Sequence, residues 1–187
     1  EDVRLLPASA EAKTDIHRDR RLSVTEIQAI HAALAGVKRK DRERALSVDP
    51  AFLLLFDLIL ITGLRLIEAY RLRVTQVDAD MGVLRVEGSK GHRGAIKPRV
   101  VPLHPVMRDR LRQWCADRQG LVFPFWDGNV ATEKQTTGRL SKRFAVLFEY
   151  AGVDDFKEHD LRHTATCQWF ELRDDAGRWK FSDVEIC

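Results

Sequence analysis

A chain of 187 residues, 44% hydrophobic and 32% charged, is long enough to fill one sizeable core. Thirty-one Lys plus Arg against 28 Asp plus Glu leave a net charge of only +3, which excludes a globally basic polyanion binder and makes any such site local. The most apolar run, 51–61, is interrupted by Asp57 and falls short of the about 20 residues that a bilayer span needs. The N-terminus shows no basic-then-apolar leader, and Cys115, Cys167 and Cys187 have no C-x-x-C spacing. The expectations are a cytoplasmic protein with no membrane association, no disulfide framework and no metal site.

Residues 1–20 carry no sustained apolar period and read as a linker or the end of an upstream region, so a single folded unit is expected over 21–187. Ser23 with Glu26 matches a capping box, and Leu22 with Ile27 a hydrophobic staple, predicting a helix from there to about Gly36. The run 38–44, five bases and two acids, reads as a solvated loop or helix face. Asp49 and Pro50 supply an N-cap and a first helical residue, after which 51–62 is apolar nearly all round: a helix at the centre of the core, ended by Gly63. Over 64–72 a second short helix turns Leu64, Ile67 and Leu72 inward and leaves Arg65, Glu68 and Arg71 on the other side.

From Val74 to Leu103 valines and leucines alternate with Gly, Asp and Pro, which predicts a small three-stranded antiparallel sheet. Between its last two strands, 88–99 holds four bases, three glycines and no acid, a basic hairpin tip. Pro105 opens a helix with the stripe Met107, Leu111, Trp114 and Cys115. Another, over 134–151, sets Leu140, Phe144, Leu147 and Phe148 inward and Arg139, Lys142 and Arg143 outward. The last segment, 158–170, is a helix with Leu161, Ala165 and Leu172 on one side and His159, Arg162, His163 and Thr166 on the other. The fold class is therefore α+β, mainly α. His159 and His163 stand i, i+4 and admit a metal-hydrolase reading, but Arg162 would set a fixed charge beside the cation and no third ligand is signalled. Alone, His163 reads as a hydrogen-bonding residue that fixes the helix.

Thr62-Gly63-Leu64-Arg65 with Glu68, followed far downstream by His159-Asp160-Leu161-Arg162-His163, resembles the tyrosine recombinase, or phage integrase, family. The first box, T-G-L-R-x-x-E, the second, H-x-L-R-H, and Lys90 on the hairpin between them stand in the family's order, and the resemblance covers about 21–187. It implies a helical catalytic domain of integrase type that breaks and rejoins DNA through a 3′-phosphotyrosyl intermediate, with no metal or other cofactor. Double-stranded DNA is the implied partner, bound by a tetramer on paired sites and, in a prokaryotic host, at the nucleoid.

By the same resemblance Arg65, Lys90, His159 and Arg162 are catalytic and Glu68 and His163 supporting; Arg93, Lys97, Arg99, Arg139, Lys142 and Arg143 are expected to contact DNA. The chemistry suits these types: arginine forks never deprotonate and can grip the non-bridging oxygens of a phosphodiester. A hairpin lysine, Lys90 ahead of Lys97, can protonate a leaving alkoxide, and His159 can donate to the phosphate or carry the nucleophile's proton. The family's nucleophile is a tyrosine a few tens of residues past the second box, preceded by a His or Trp. Tyr70 and Tyr150, the two tyrosines here, do not match its place, and Trp179 lies too early for the preceding residue. The expectation is a catalytic domain truncated before its nucleophile, lacking the family's upstream helical domain and inactive by itself. The alternative is an accessory DNA-binding domain of the same fold without catalysis, although lost chemistry gives no reason to keep Arg65, Lys90, His159 and Arg162 together.

Overall fold

Ser23 decides where the first helix begins. Its hydroxyl accepts from the Glu26 N–H at 3.2 Å while the Glu26 carboxylate accepts from the Ser23 N–H at 2.8 Å, closing both halves of the box and starting α1 (Val24–Leu34). In the computed structural model, which describes residues 20–87, 98–173 and 176, the entry to this helix also lies beside the last one. Arg20 pairs with Glu26 and covers the Phe156 ring, and the Leu22 N–H donates to the Thr164 hydroxyl at 3.3 Å.

The Asp49 carboxylate caps α2 (Pro50–Thr62) by accepting from the N–H groups of Ala51 and Phe52 at 2.9 and 3.2 Å. That helix is buried nearly all round, as its unbroken apolar sequence requires. Its one acid, Asp57, is buried and accepts from His31 Nε2 and from Arg110 Nη1, each at 2.6 Å. A carboxylate in the most apolar helix thus ties α1 and the later helix that carries Arg110 to the centre, which neutralises the cost of burying it. Gly63 ends α2 with a left-handed φ of 64°, where a side chain would be strained and a Cβ would lie 3.5 Å from Ala165.

After the short α3 (Leu66–Tyr70) and a 3-10 turn at Val74–Gln76 comes a sheet of β1 (Val77–Asp78), β2 (Val83–Val86) and β3 (Arg99–Pro102). It is antiparallel in the order β1-β2-β3, with Leu84 opposite Val77 on one side and Val101 on the other. Leu84, Val86 and Val101 enter the core, while Arg85 and Val100 face out. Helices α4 (Pro105–Cys115), α5 (Glu133–Ala151) and α6 (Glu158–Glu171) complete the fold; α1 packs on α5, and α2 on α6.

Two expectations need correction. Leu172 does not line the inner side of the last helix: α6 ends at Glu171, the chain leaves in an extended conformation, and Leu172 is 44% exposed. Asp160, Leu161, Thr164 and Ala165 form the buried side instead. Glu68 is buried rather than on an outer side with Arg71. The basic run after α1 is the exposed loop expected, held to α5 where the Arg39 guanidinium donates to the Tyr150 carbonyl at 2.9 Å and Arg42 reaches Glu149. A further segment shows no period in the sequence yet carries much of the packing: Leu121 bridges Arg73, the Val122 N–H donates to the Leu72 carbonyl, and Phe123 and Trp126 are buried.

The Arg20 hydrogen bond, with help from the Ser23 backbone and hydroxyl, lowers the Glu26 carboxyl to about 2 from its ordinary 4.5. A depressed carboxyl adds stability above its unfolded value and loses it as pH falls from 4.5 towards 2. Glu26→Gln is expected to destabilise by about 1 kcal/mol at neutral pH, the worth of a cap. Thermal unfolding of both proteins across that acid range checks this, since the gap between them closes as the wild-type carboxylate protonates.

Candidate active site

Arg65 stands at the N-cap of α3 and Glu68 three residues on, so a local bond forms first: the Arg65 N–H donates to Glu68 Oε2 at 3.0 Å. The Arg65 guanidinium also reaches Oε1 at 3.3 Å. From β3, 31 residues away in sequence, Arg99 closes a fork on the same carboxylate, Nη1 to Oε1 at 3.0 Å and Nη2 to Oε2 at 2.7 Å. The Glu68 side chain is only 2% exposed, whereas those of Arg65 and Arg99 are 42% and 32% exposed. The anion is inside and the cations form its rim.

Arg162 arrives from the opposite direction. The last carbonyls of α2 have no partners within the helix and sit at its negative end. Two side chains of α6, seven residues apart, cover that end: Trp169 Nε1 donates to the Ile61 carbonyl at 2.7 Å, and Arg162 Nη1 to the carbonyl of Gly63, the residue just past the helix, at 2.5 Å. Arg162 is half-buried, and its charged form is disfavoured first by that burial and then by the charges of Arg65 and Arg99, with Glu68 opposing. Three guanidinium groups from α3, β3 and α6 therefore share one electrostatic neighbourhood around one buried carboxylate.

The remaining sequence candidates scatter. His159 is exposed on the first turn of α6, one turn before Arg162 and on its side of the helix. His163 is half-buried, with Nε2 3.7 Å from the Cys167 sulfur. Lys90, Arg93 and Lys97 lie outside the described residues. Arg139 donates to the Phe125 carbonyl at 2.5 Å, and Arg143 pairs with Asp49 at 2.8 Å while its guanidinium lies 4.0 Å from the centre of the Phe52 ring. Lys142, between them, is exposed. Arg99, read in the sequence as a DNA contact, has both terminal nitrogens on Glu68. A signal for this existed: Arg99 is two residues from the buried Val101, and strand alternation puts both on the inner side of β3.

Both tyrosine hydroxyls are used within the fold. That of Tyr70 lies 2.8 Å from the Thr137 hydroxyl and burial raises its pKa; that of Tyr150 accepts from the Arg39 N–H at 3.1 Å. Among the described residues no group of three or more His, Cys, Asp and Glu side chains is placed to hold a metal ion, and no helix is long and apolar enough to cross a membrane.

Comparison with known proteins converges on one family. The model of the phage integrase family matches residues 20–171. Two curated proteins of Sinorhizobium fredii whose names read integrase/recombinase align with the chain. One, y4rB, is 31% identical over 141 residues, 66% of this chain and 43% of its own length. The other, y4rE, is 33% identical over 132 residues, 64% of this chain and 41% of its own. The chain thus spans about two-fifths of the length of these relatives. Among solved structures, a lambda integrase tetramer bound to a Holliday junction matches with a TM-score of 0.61 and 21% identity, over 95% of this chain and 51% of that one. XerA recombinase matches with a TM-score of 0.58 and 20% identity, over 85% of this chain and 52% of that one. At such identities the likeness is one of fold.

The buried carboxylate makes a stability prediction. Glu68→Ala removes the partner of two partly exposed guanidiniums and is expected to cost about 1–3 kcal/mol. Glu68→Gln, which keeps an acceptor oxygen, costs less. Urea unfolding of the three proteins checks the order.

Proposed function

Because the chain belongs to the phage integrase family, the tyrosine recombinases, we propose that it grips the scissile phosphate of duplex DNA during site-specific strand breakage and rejoining. The observation that carries this is the cation cluster: Arg162 stays charged against burial and against Arg65 and Arg99, and an incoming phosphate relieves that cost. Arg65 and Arg162 then bind the non-bridging oxygens and hold them as charge builds in the transition state, each fixed beforehand, one by Glu68 and the other by the Gly63 carbonyl.

In the proposed reaction a tyrosine oxygen attacks phosphorus, the bond to the 5′ oxygen breaks, and a 3′-phosphotyrosyl link forms. Lys90, with Lys97 the lesser candidate, gives its proton to the departing 5′ oxygen. His159, exposed beside Arg162, donates to the phosphate or takes the proton from the tyrosine, and His163 supports the helix that carries them. The buried, hydrogen-bonded hydroxyls of Tyr70 and Tyr150 favour a nucleophile other than these two. The 187 residues are therefore proposed to hold DNA without cutting it. Lys142, with Arg93, Lys97 and parts of Arg139 and Arg143, supplies phosphate contacts outside the cluster. The whole protein is proposed to work as a tetramer on paired sites in the cytoplasm, at the nucleoid, without metal or other cofactor.

Binding to duplex DNA is expected to be weakly sequence-selective and steeply salt-dependent. Arg65→Ala or Arg162→Ala should each lower the salt slope by about one. Titrations at several salt concentrations measure this, and tight, salt-insensitive binding to one sequence contradicts it.

Chemistry is tested with a nicked substrate. The 187-residue chain should yield no covalent adduct, whereas a longer form carrying the nucleophilic tyrosine should trap one, at least 100-fold less in Arg162→Ala given the usual cost of losing an oxyanion donor, about 10²–10³. An adduct from the present chain that vanishes in Tyr70→Phe or Tyr150→Phe overturns the assignment, and a longer form that binds DNA but never forms an adduct points to an accessory DNA-binding domain.

A further inference from the structure

We infer that Arg99 is a positioning residue that acts on the phosphate site through Glu68 and Arg65, and not a DNA contact. The role rests on the proposed phosphate grip and deepens it.

The geometry distinguishes the two roles. Arg99 presents both terminal nitrogens to both oxygens of Glu68, the parallel two-bond arrangement in which an arginine is most strongly oriented. If Arg99 swung out to a phosphate, a carboxylate with 2% exposure would lose both bonds of that fork, an outcome that buried ion pairs resist. Arg65 meets the same carboxylate through one longer guanidinium contact, 3.3 Å, and a backbone contact, and its side chain is the more exposed. The division of labour follows: Arg99 fixes the carboxylate, the carboxylate orients Arg65, and Arg65 faces outward. Strand β3 is suited to the task because its backbone pairs with β2 through Arg99 itself, opposite Val86, whose side chain is in the core.

Arg99 also acts at a distance on the third member of the cluster. Its charge is among those that make Arg162 costly to keep protonated, so the residue that orients Arg65 also strengthens the pull of the site on an anion. A neutral residue at position 99 therefore weakens binding by two routes, neither of which involves touching DNA.

Three readings test this, all on the 187-residue chain. In DNA-free protein, the Arg65 Nε–H signal in side-chain NMR moves in Arg99→Gln. For a duplex oligonucleotide, Arg99→Gln raises Kd about tenfold while the salt slope changes by less than about 0.3, whereas loss of a true phosphate contact lowers it by about one. The double variant Glu68→Gln with Arg99→Gln binds no worse than Arg99→Gln alone, since independent effects multiply and effects through one partner do not. A slope lowered by about one, an unmoved Arg65 signal, or multiplying losses overturns the role. Should Arg99→Gln not fold, the wild-type titration decides: the Arg99 signals hold their positions while those of Arg65 and Arg162 move, and a comparable movement of all three overturns it. A wild-type chain that binds no duplex at all overturns the phosphate grip and this role with it, a result told apart from the others because there the wild type binds.

Discussion

A buried carboxylate amid arginines is an electrostatic liability unless every charge is held, and the arrangement around Glu68 depends on meeting that constraint. Removing the carboxylate from water is costly, and hydrogen bonds from Arg99 and Arg65 compensate it. In return the anion lets guanidinium groups approach one another more closely than mutual repulsion otherwise allows. Arg162 is held by a different means, the carbonyl of Gly63 just past the end of α2, so the two arginines proposed to grip the phosphate are set by independent devices that meet in one place. The proposed phosphate site would thus be prepared before its anion arrives, which is the condition under which fixed charges stabilise a transition state most.

That preparation needs rigid supports. Helix α2 supplies one, since it is buried nearly all round, and its only acid ties it to α1 and α4 through His31 and Arg110. Gly63 supplies the turn that brings Arg65 close to α6, and a side chain at that φ would strain the turn between them. The Trp169 hydrogen bond to the Ile61 carbonyl and the Thr164 contact with Leu22 hold α6 along its length. The packed core and the cation cluster are thus one construction, joined at the C-terminal end of α2.

What was legible in the sequence was what is decided locally. Ser23 with Glu26, Asp49 with Pro50, and Gly63 each set a helix boundary within a turn of themselves, and each boundary lies where the spacing put it. The two boxes were legible as a pattern of residue types, and the family match covers both. The burial of Glu68 was not, because the arginine that forks its carboxylate is 31 residues away in sequence, on a strand that local spacing does not bring near. Arg99 was half legible: strand alternation points it inward, but a basic stretch beside glycines suggests a surface. The packing around Phe123 and Trp126 had no period to read, since it follows from tertiary contacts of an irregular segment with Leu72 and Trp114. Leu172 fitted the helical stripe and failed only because α6 ends one residue before it.

In the proposed complex Arg65 and Arg162 hold one phosphate while Arg99 remains on Glu68. A crystal structure of the chain bound to a short duplex tests it most directly. The expected result is one backbone phosphate with oxygens at about 3 Å from the guanidinium groups of both Arg65 and Arg162, and the Arg99 fork on Glu68 intact. A duplex seated elsewhere on the protein, or a phosphate held by Arg99 with Glu68 released, would contradict it.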